Sequence, residues 1–227
     1  MSEAFNAERL TRLCDFLQQS PTPWHATQNM AQRLEQAGFT RLEETANWQL
    51  APGKRYYVTR NDSSLIAFQL PAGKLSSLRM LGAHTDSPGL RLKPNATQYS
   101  AGWMQLGVQV YGGVLLAPWF DRELGLAGRV HVRHADGRLE SVLLNVAQPV
   151  AMIPSLAIHM DRDVNAGRTI NPQTQMAPVL LQSNDLELND LLAQWLEAQH
   201  GLRAVDIVDF ELGFYDVQPP ALVGVRQ

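Results

Sequence analysis

The sequence predicts an α/β protein in which helices lead into strands and a β-rich, turn-rich stretch follows. Three observations carry that reading. Two stretches near the N-terminus place apolar residues at helical spacing and stop at proline or glycine. From Tyr56 onward, short β-branched and aromatic runs alternate with turn signals. One largely apolar run, Leu78 to Ala83, broken only by Arg79, ends directly in His84-Thr85-Asp86-Ser87-Pro88. That run is too short for a helix and is bounded by polar residues, so it is expected to be a buried strand.

The elements follow in order. Phe5, Leu10, Leu13, Cys14 and Leu17 give residues 3–18 a helical stripe, which Ser20-Pro21-Thr22-Pro23 stops. Thr22 is placed to cap a second helix with Pro23 at its first position, where a missing N–H costs nothing. That helix is expected to bury Ala26, Met30, Ala31, Leu34 and Ala37 and to end at Gly38. Tyr56 to Thr59 and Ser64 to Leu70 read as strands around an Asn61-Asp62 turn. Residues 1–92 thus read as the first part of a larger sheet domain, and Lys93-Pro94-Asn95 marks a boundary.

Beyond it, Gln105 to Tyr111 alternates, as does Leu126 to Arg133. Asp136-Gly137 is a hairpin signal with Glu140 to Val146 as partner strand. Residues 184–200 form a helix through Leu188, Leu191, Leu192, Trp195 and Leu196, stopped by Gly201. Val205 to Phe214 is a last strand.

On a strand, His84 and Asp86 share a face, since side chains alternate. Carboxyl ends of strands in open α/β sheets are where ligands bind. An imidazole binds zinc through one nitrogen while a carboxylate takes the other N–H, fixing tautomer and ring orientation. A solvated histidine before a turn-forming aspartate fits the three residues as well. The small neighbours Gly82, Ala83, Ser87 and Gly89 leave room that favours the first reading. His25 reads as a packing or surface residue, and His131, Arg133 and His134 as surface-face side chains. His159, on the apolar stretch Ile153 to Met160, reads by its surroundings as a core histidine. Asp161 and Asp163 resemble part of a calcium loop, but the glycine and terminal glutamate of an EF-hand are not in place.

Composition bounds the function. Of 227 residues, 45% are apolar and 18% charged, enough for a substantial core. A net charge of −3 gives no electrostatic case for nucleic acid or an anionic membrane. The single cysteine, Cys14, rules out an internal disulfide and fits a reducing cytoplasm. Charged residues through the first twenty positions argue against a signal peptide, and no apolar run approaches the ~18 residues of a membrane span. Neither a glycine-rich phosphate loop nor a Gly-x-Ser-x-Gly elbow is present.

Four stretches together are similar to one family. They are Gly82-Ala83-His84-Thr85-Asp86-Ser87-Pro88; Tyr111-Gly112-Gly113 with Pro118 to Leu124 and Ala127-Gly128-Arg129; Ile153 to His159; and Tyr215 to Pro219 with Val223-Gly224. In order and approximate spacing they resemble the M18 aminopeptidases, the aspartyl aminopeptidases, over nearly the whole chain. Ser20 to Ala26 fits as well.

The resemblance implies a zinc exopeptidase with two bridged Zn2+ ions in the complete active site. Its fold would be a mixed sheet between helices with a β-rich dimerisation domain inserted. Residues 1–92 would then be the N-terminal part of the catalytic domain, 93–205 the dimerisation domain, and 206–227 a return strand. His84 resembles a zinc ligand, and Asp86 the carboxylate that orients it. His159 resembles a histidine offered to the neighbouring subunit's active site, where it binds substrate or stabilises the oxyanion. The family places no ligand at Asp121, so Asp121 and Arg122 are expected to be structural partners, as an ion pair.

The same resemblance implies peptide substrates with a free N-terminus, acidic first residues preferred, and homodimers that build up to dodecamers in the cytoplasm. The family's general base and remaining ligands would lie beyond the motif ending at Gly224, so this chain is expected to lack most of the site. The rival reading is a non-catalytic assembly module, with residues 93–205 as its interaction surface. A third is another co-catalytic zinc hydrolase, a deacetylase or a carboxypeptidase.

Overall fold

The computed structural model describes residues 3–224. Of these, the residues up to Ser87 and those from Pro219 onward form one compact unit, and Pro88–Gln218 form another. The architecture is mixed α/β.

The first unit runs α1 (Glu3–Gln18), α2 (Pro23–Gln36), β1 (Thr40–Arg41), β2 (Arg55–Arg60) and β3 (Ser64–Gln69). β2 and β3 form an antiparallel hairpin, and β1 lies parallel on the outer side of β2. Asn61 and Asp62 take φ of 50° and 52° in the three-residue loop between Arg60 and its partner Ser64, left-handed positions that asparagine and aspartate tolerate. Thr22 caps α2 in extended conformation, its Oγ accepting the His25 N–H at 3.4 Å, with Pro23 in the first turn. The stripe expected on α2 is only half right. Its first turn, Trp24 to Thr27, is buried, while Met30, Ala31 and Leu34 are half-buried and Ala37 is exposed.

The expected strand Leu78 to Ala83 does not form. The run has no regular structure, and Leu78, Met80 and Leu81 are exposed, Leu81 fully. An apolar run becomes a buried strand only where a neighbour takes up its N–H and C=O groups and another layer covers its side chains. Among the described residues the sheet of this unit is β1-β2-β3; the run pairs with neither of its edge strands, and no layer covers Leu78, Met80 and Leu81.

Burial pushes the His25 imidazole down to about 4. The ring is neutral in the fold and its Nδ1 lies 2.7 Å from the Thr22 hydroxyl. In the unfolded chain the same ring takes up a proton near its ordinary value. Folding is therefore favoured above that value, and the stabilisation drains away as pH falls from about 6.5 to about 4, by about 3 kcal/mol in all. Urea midpoints of the first unit should fall across that window in the wild type and stay nearly flat in His25→Gln. Parallel falls in both proteins would assign the acid lability elsewhere.

The second unit runs β4 (Gly89–Ser100), β5 (Trp103–Tyr111), a 3-10 turn at Ala117–Trp119, β6 (Leu124–Arg133) and β7 (Leu139–Ala151). It continues through the short helices α3 (Val164–Gly167) and α4 (Pro172–Gln175), β8 (Val179–Gln182), α5 (Leu188–His200) and β9 (Asp206–Asp216). The sheet has order β7-β6-β9-β4-β5-β8 and is antiparallel throughout. The last strand thus inserts between β6 and β4, closing a core around Leu90, Leu106, Leu126, Val130, Leu144 and Phe214. Lys93-Pro94-Asn95 lie inside β4, where the register with β5 shifts between Leu92 and Thr97. Proline cannot donate to a ladder, so the irregularity falls there.

α5 begins at Leu188, later than its polar leader suggested. Ser183 Oγ accepts the N–H groups of Asp185 and Leu186 at 3.3 and 3.2 Å, which turns the chain before the helix. Glu187 and Asp190 then form a reciprocal capping box, and Gly201 ends the helix at φ 67°. Leu188, Leu192 and Leu196 are buried in the core of this unit, and Gln199 Nε2 reaches the Asn145 carbonyl at 2.9 Å.

Candidate functional site

The chemistry-bearing residues fall in both units. In the first, Thr85 Oγ donates to the Ser63 carbonyl at 2.6 Å, at the turn between β2 and β3. That bond fixes the segment on which His84 and Asp86 stand. His84 Nδ1 lies 2.7 Å from the Asp86 carbonyl oxygen and 3.4 Å from Asp86 Oδ1. An Nδ1–H tautomer donates to that carbonyl and leaves the Nε2 lone pair for a metal. The backbone oxygen makes the shorter contact, where the sequence had suggested the carboxylate. The His84 side chain is 78% exposed.

A catalytic zinc typically takes three protein ligands and keeps one position open. Among the described residues no group of three or more His, Cys, Asp or Glu side chains is placed to hold a metal ion. The described residues therefore do not complete a zinc site. They offer one oriented imidazole.

In the second unit His159 is exposed, so the core reading of this residue fails. An apolar flank predicts burial only if the flank itself is buried, and here Leu156, Ile158 and Met160 are exposed too. The Met160 N–H donates to the Ala157 carbonyl at 2.8 Å, so His159 rides on a tight turn. This turn is presented outward from the sheet connection between β7 and α3.

Asp121 and Arg122 do not pair with each other. Asp121 Oδ1 accepts the Ser155 N–H at 2.8 Å. That bond, helped by the Arg168 charge, holds its carboxyl below the usual carboxylate range. Arg122 instead reaches Asp216 at 3.5 Å and the Gln218 side-chain oxygen at 3.2 Å, tying the 3-10 connection to the end of β9. Sequence reading missed Arg168 and its contact with Asp161, with Nε 3.5 Å from Oδ2. Nothing in the spacing of two residues on an irregular loop announces such a pair.

On the β6–β9 surface, His131 Nδ1 lies 2.8 Å from Ser141 Oγ, and Arg129 pairs with Glu211. The residue types are those of a catalytic relay. Yet Glu211 stands 3.9 Å from His131 Nε2 and is engaged by Arg129. The network joins β6, β7 and β9 and activates no nucleophile.

The family model for aminopeptidase I zinc metalloprotease (M18) matches residues 16–227. The probable M18 family aminopeptidase 2 of Pseudomonas putida (strain GB-1) is 52% identical over 231 residues, covering 100% of this chain and 53% of its own length. The chain thus spans about half the length of the curated relatives it matches. A chain in the cryo-EM structure of the Ape4 and Nbr1 complex superposes with TM-score 0.85 at 37% identity, over 95% of this chain and 45% of that one. The S. cerevisiae mApe1 dodecamer superposes with TM-score 0.75 at 26% identity, over 95% of this chain and 49% of that one. Among the described residues no helix is long and apolar enough to cross a membrane.

Proposed function

Because the chain belongs to the aminopeptidase I zinc metalloprotease (M18) family, we propose that it forms the N-terminal part of a longer zinc aminopeptidase. That enzyme removes N-terminal residues, Asp and Glu foremost, from peptides with a free N-terminus in the cytoplasm. The observation that carries the reading is the His84 imidazole, held on its Nδ1 side by Asp86. Such a ring supplies one ligand, and the other ligands of a two-zinc centre come from the remainder of the longer polypeptide. Asp86 sets the tautomer. His159, exposed on its turn, is lent to a neighbouring subunit to bind substrate or to stabilise the oxyanion. The enzyme is a homodimer that assembles further to a dodecamer, in keeping with the dodecameric neighbour.

Zinc content of the purified 227-residue chain, with a parallel assay on substrates with free N-terminal Glu or Asp, tests this. Near-zero zinc and no turnover are expected for the chain alone, whereas the longer polypeptide is expected to bind zinc and to turn over. Tightly bound zinc with turnover in the chain alone would move the site to other residues, Asp121 first among them.

A further inference from the structure

The turn that carries His159 is pinned at both ends, and the two pins meet around one aromatic ring. Asp121 takes φ 60°, a left-handed conformation that most non-glycine residues avoid and that aspartate, like asparagine, tolerates better than most. In that conformation its backbone N–H donates to the Ile153 carbonyl at 2.9 Å while its carboxylate accepts the Ser155 N–H at 2.8 Å. Ile153 is itself 1% exposed and bridges Phe120, the residue before Asp121. This is the first pin. The second is Asp161, which meets Arg168, and the Arg168 guanidinium lies 4.0 Å from the centre of the Phe120 ring. Both side chains of that pair are largely buried, at 16% and 22% exposure. Between the pins everything from Pro154 to Met160 is exposed.

We propose that Asp121, with Phe120 and Arg168, is a positioning device that holds the Ser155–Asp161 turn extended so that His159 is presented in one fixed place. The proposal rests on the reading of His159 as a residue that acts in a neighbouring subunit. Its physical basis is the apolar character of the turn. Leu156, Ile158 and Met160 are exposed beside His159, and an untethered loop with such side chains folds back onto the nearest apolar surface. Holding the loop out spends its conformational entropy before substrate arrives, so the histidine need not be ordered during the reaction. A backbone strain at one residue, compensated by two hydrogen bonds to one short segment, is the kind of outlier that marks a functional constraint. Asp121 touches no reacting atom; it acts through His159.

Two readouts test the device. In the 227-residue chain, Asp121→Ala should speed amide exchange of residues 155–161 by about tenfold or more, with β6 and β9 unchanged. Asp121→Asn, whose amide oxygen still accepts from Ser155, should recover most of the protection. In the longer aminopeptidase, Asp121→Ala should lower kcat about ten- to a hundredfold with KM little moved. Combined with His159→Ala it should add no further loss, and Asp121→Asn should restore kcat. Unchanged exchange at 155–161, or losses that multiply in the double variant, overturn the proposal. If His159→Ala is crippled and Asp121→Ala is not, the reading of His159 stands and the positioning device alone falls. If His159→Ala turns over normally, that reading falls and takes the device with it, whatever exchange shows. Should Asp121→Ala lose protection across β6 and β9 as well, Arg168→Lys is read by the same measures, since it keeps the charge but not the planar contact with Phe120.

Discussion

His159→Ala in the longer aminopeptidase is expected to lower kcat by about two to three orders of magnitude, the cost of removing one donor to a developing oxyanion. Zinc content and assembly should stay at wild-type values. The side chain is exposed on a turn of the second unit and packs into no core, so its removal leaves the fold intact. It belongs to neither His84 nor Asp86, so metal loading is untouched. The test that separates this from a defect within one subunit is complementation. His84→Ala removes the proposed ligand, and His159→Ala removes the proposed lent donor. Each alone should be inactive. Mixed assemblies should regain turnover, because a His84→Ala subunit still offers His159 to the intact metal site of its neighbour. A mixture as inactive as its components would mean that His159 serves its own subunit or none.

Local signals were legible where local chemistry decides the structure. Thr22 before Pro23 capped α2, Asn61-Asp62 turned the β2–β3 hairpin, Asp136-Gly137 turned β6 into β7, and Gly201 ended α5. Each is a backbone demand met by one or two residues. The run Leu78 to Ala83 was misread for the opposite reason. Its apolar residues say only that they prefer burial; a buried strand also needs ladder pairing and a covering layer, and the run has neither here. The core reading of His159 failed by the same logic, since an apolar neighbourhood in sequence was taken for one in space. His84 and Asp86 do lie close, but not as same-face neighbours on a strand, since none forms there and the carbonyl makes the closer contact. The Asp121–Ser155 and Asp161–Arg168 contacts were not legible. They join loops, where neither helical nor strand periodicity constrains which side chains meet.

Gly128→Ala carries the largest expected effect on stability. Gly128 sits in mid-β6 opposite Leu212 of β9, on an interior strand of the six-stranded sheet. Its φ is 155°, and a Cβ there would overlap the Glu211 carbonyl oxygen and press on Leu212 Cα at 2.9 Å. Both obstacles are backbone, so no rotamer change relieves them; β9 itself would have to move. Moving it disturbs its pairing with β4 as well, and with it the core around Phe214 and Leu90. Overpacking and backbone strain together should cost about 4 kcal/mol. Gly137 provides the control. It too has positive φ, 84°, but an added Cβ there meets nothing within 4 Å, so Gly137→Ala should cost only the conformational strain, about 1 kcal/mol. Urea midpoints of the two variants measure the difference. Equal small shifts would mean that β6 and β9 are not in such close approach at Gly128, and that the insertion of β9 between β6 and β4 is looser than this sheet requires.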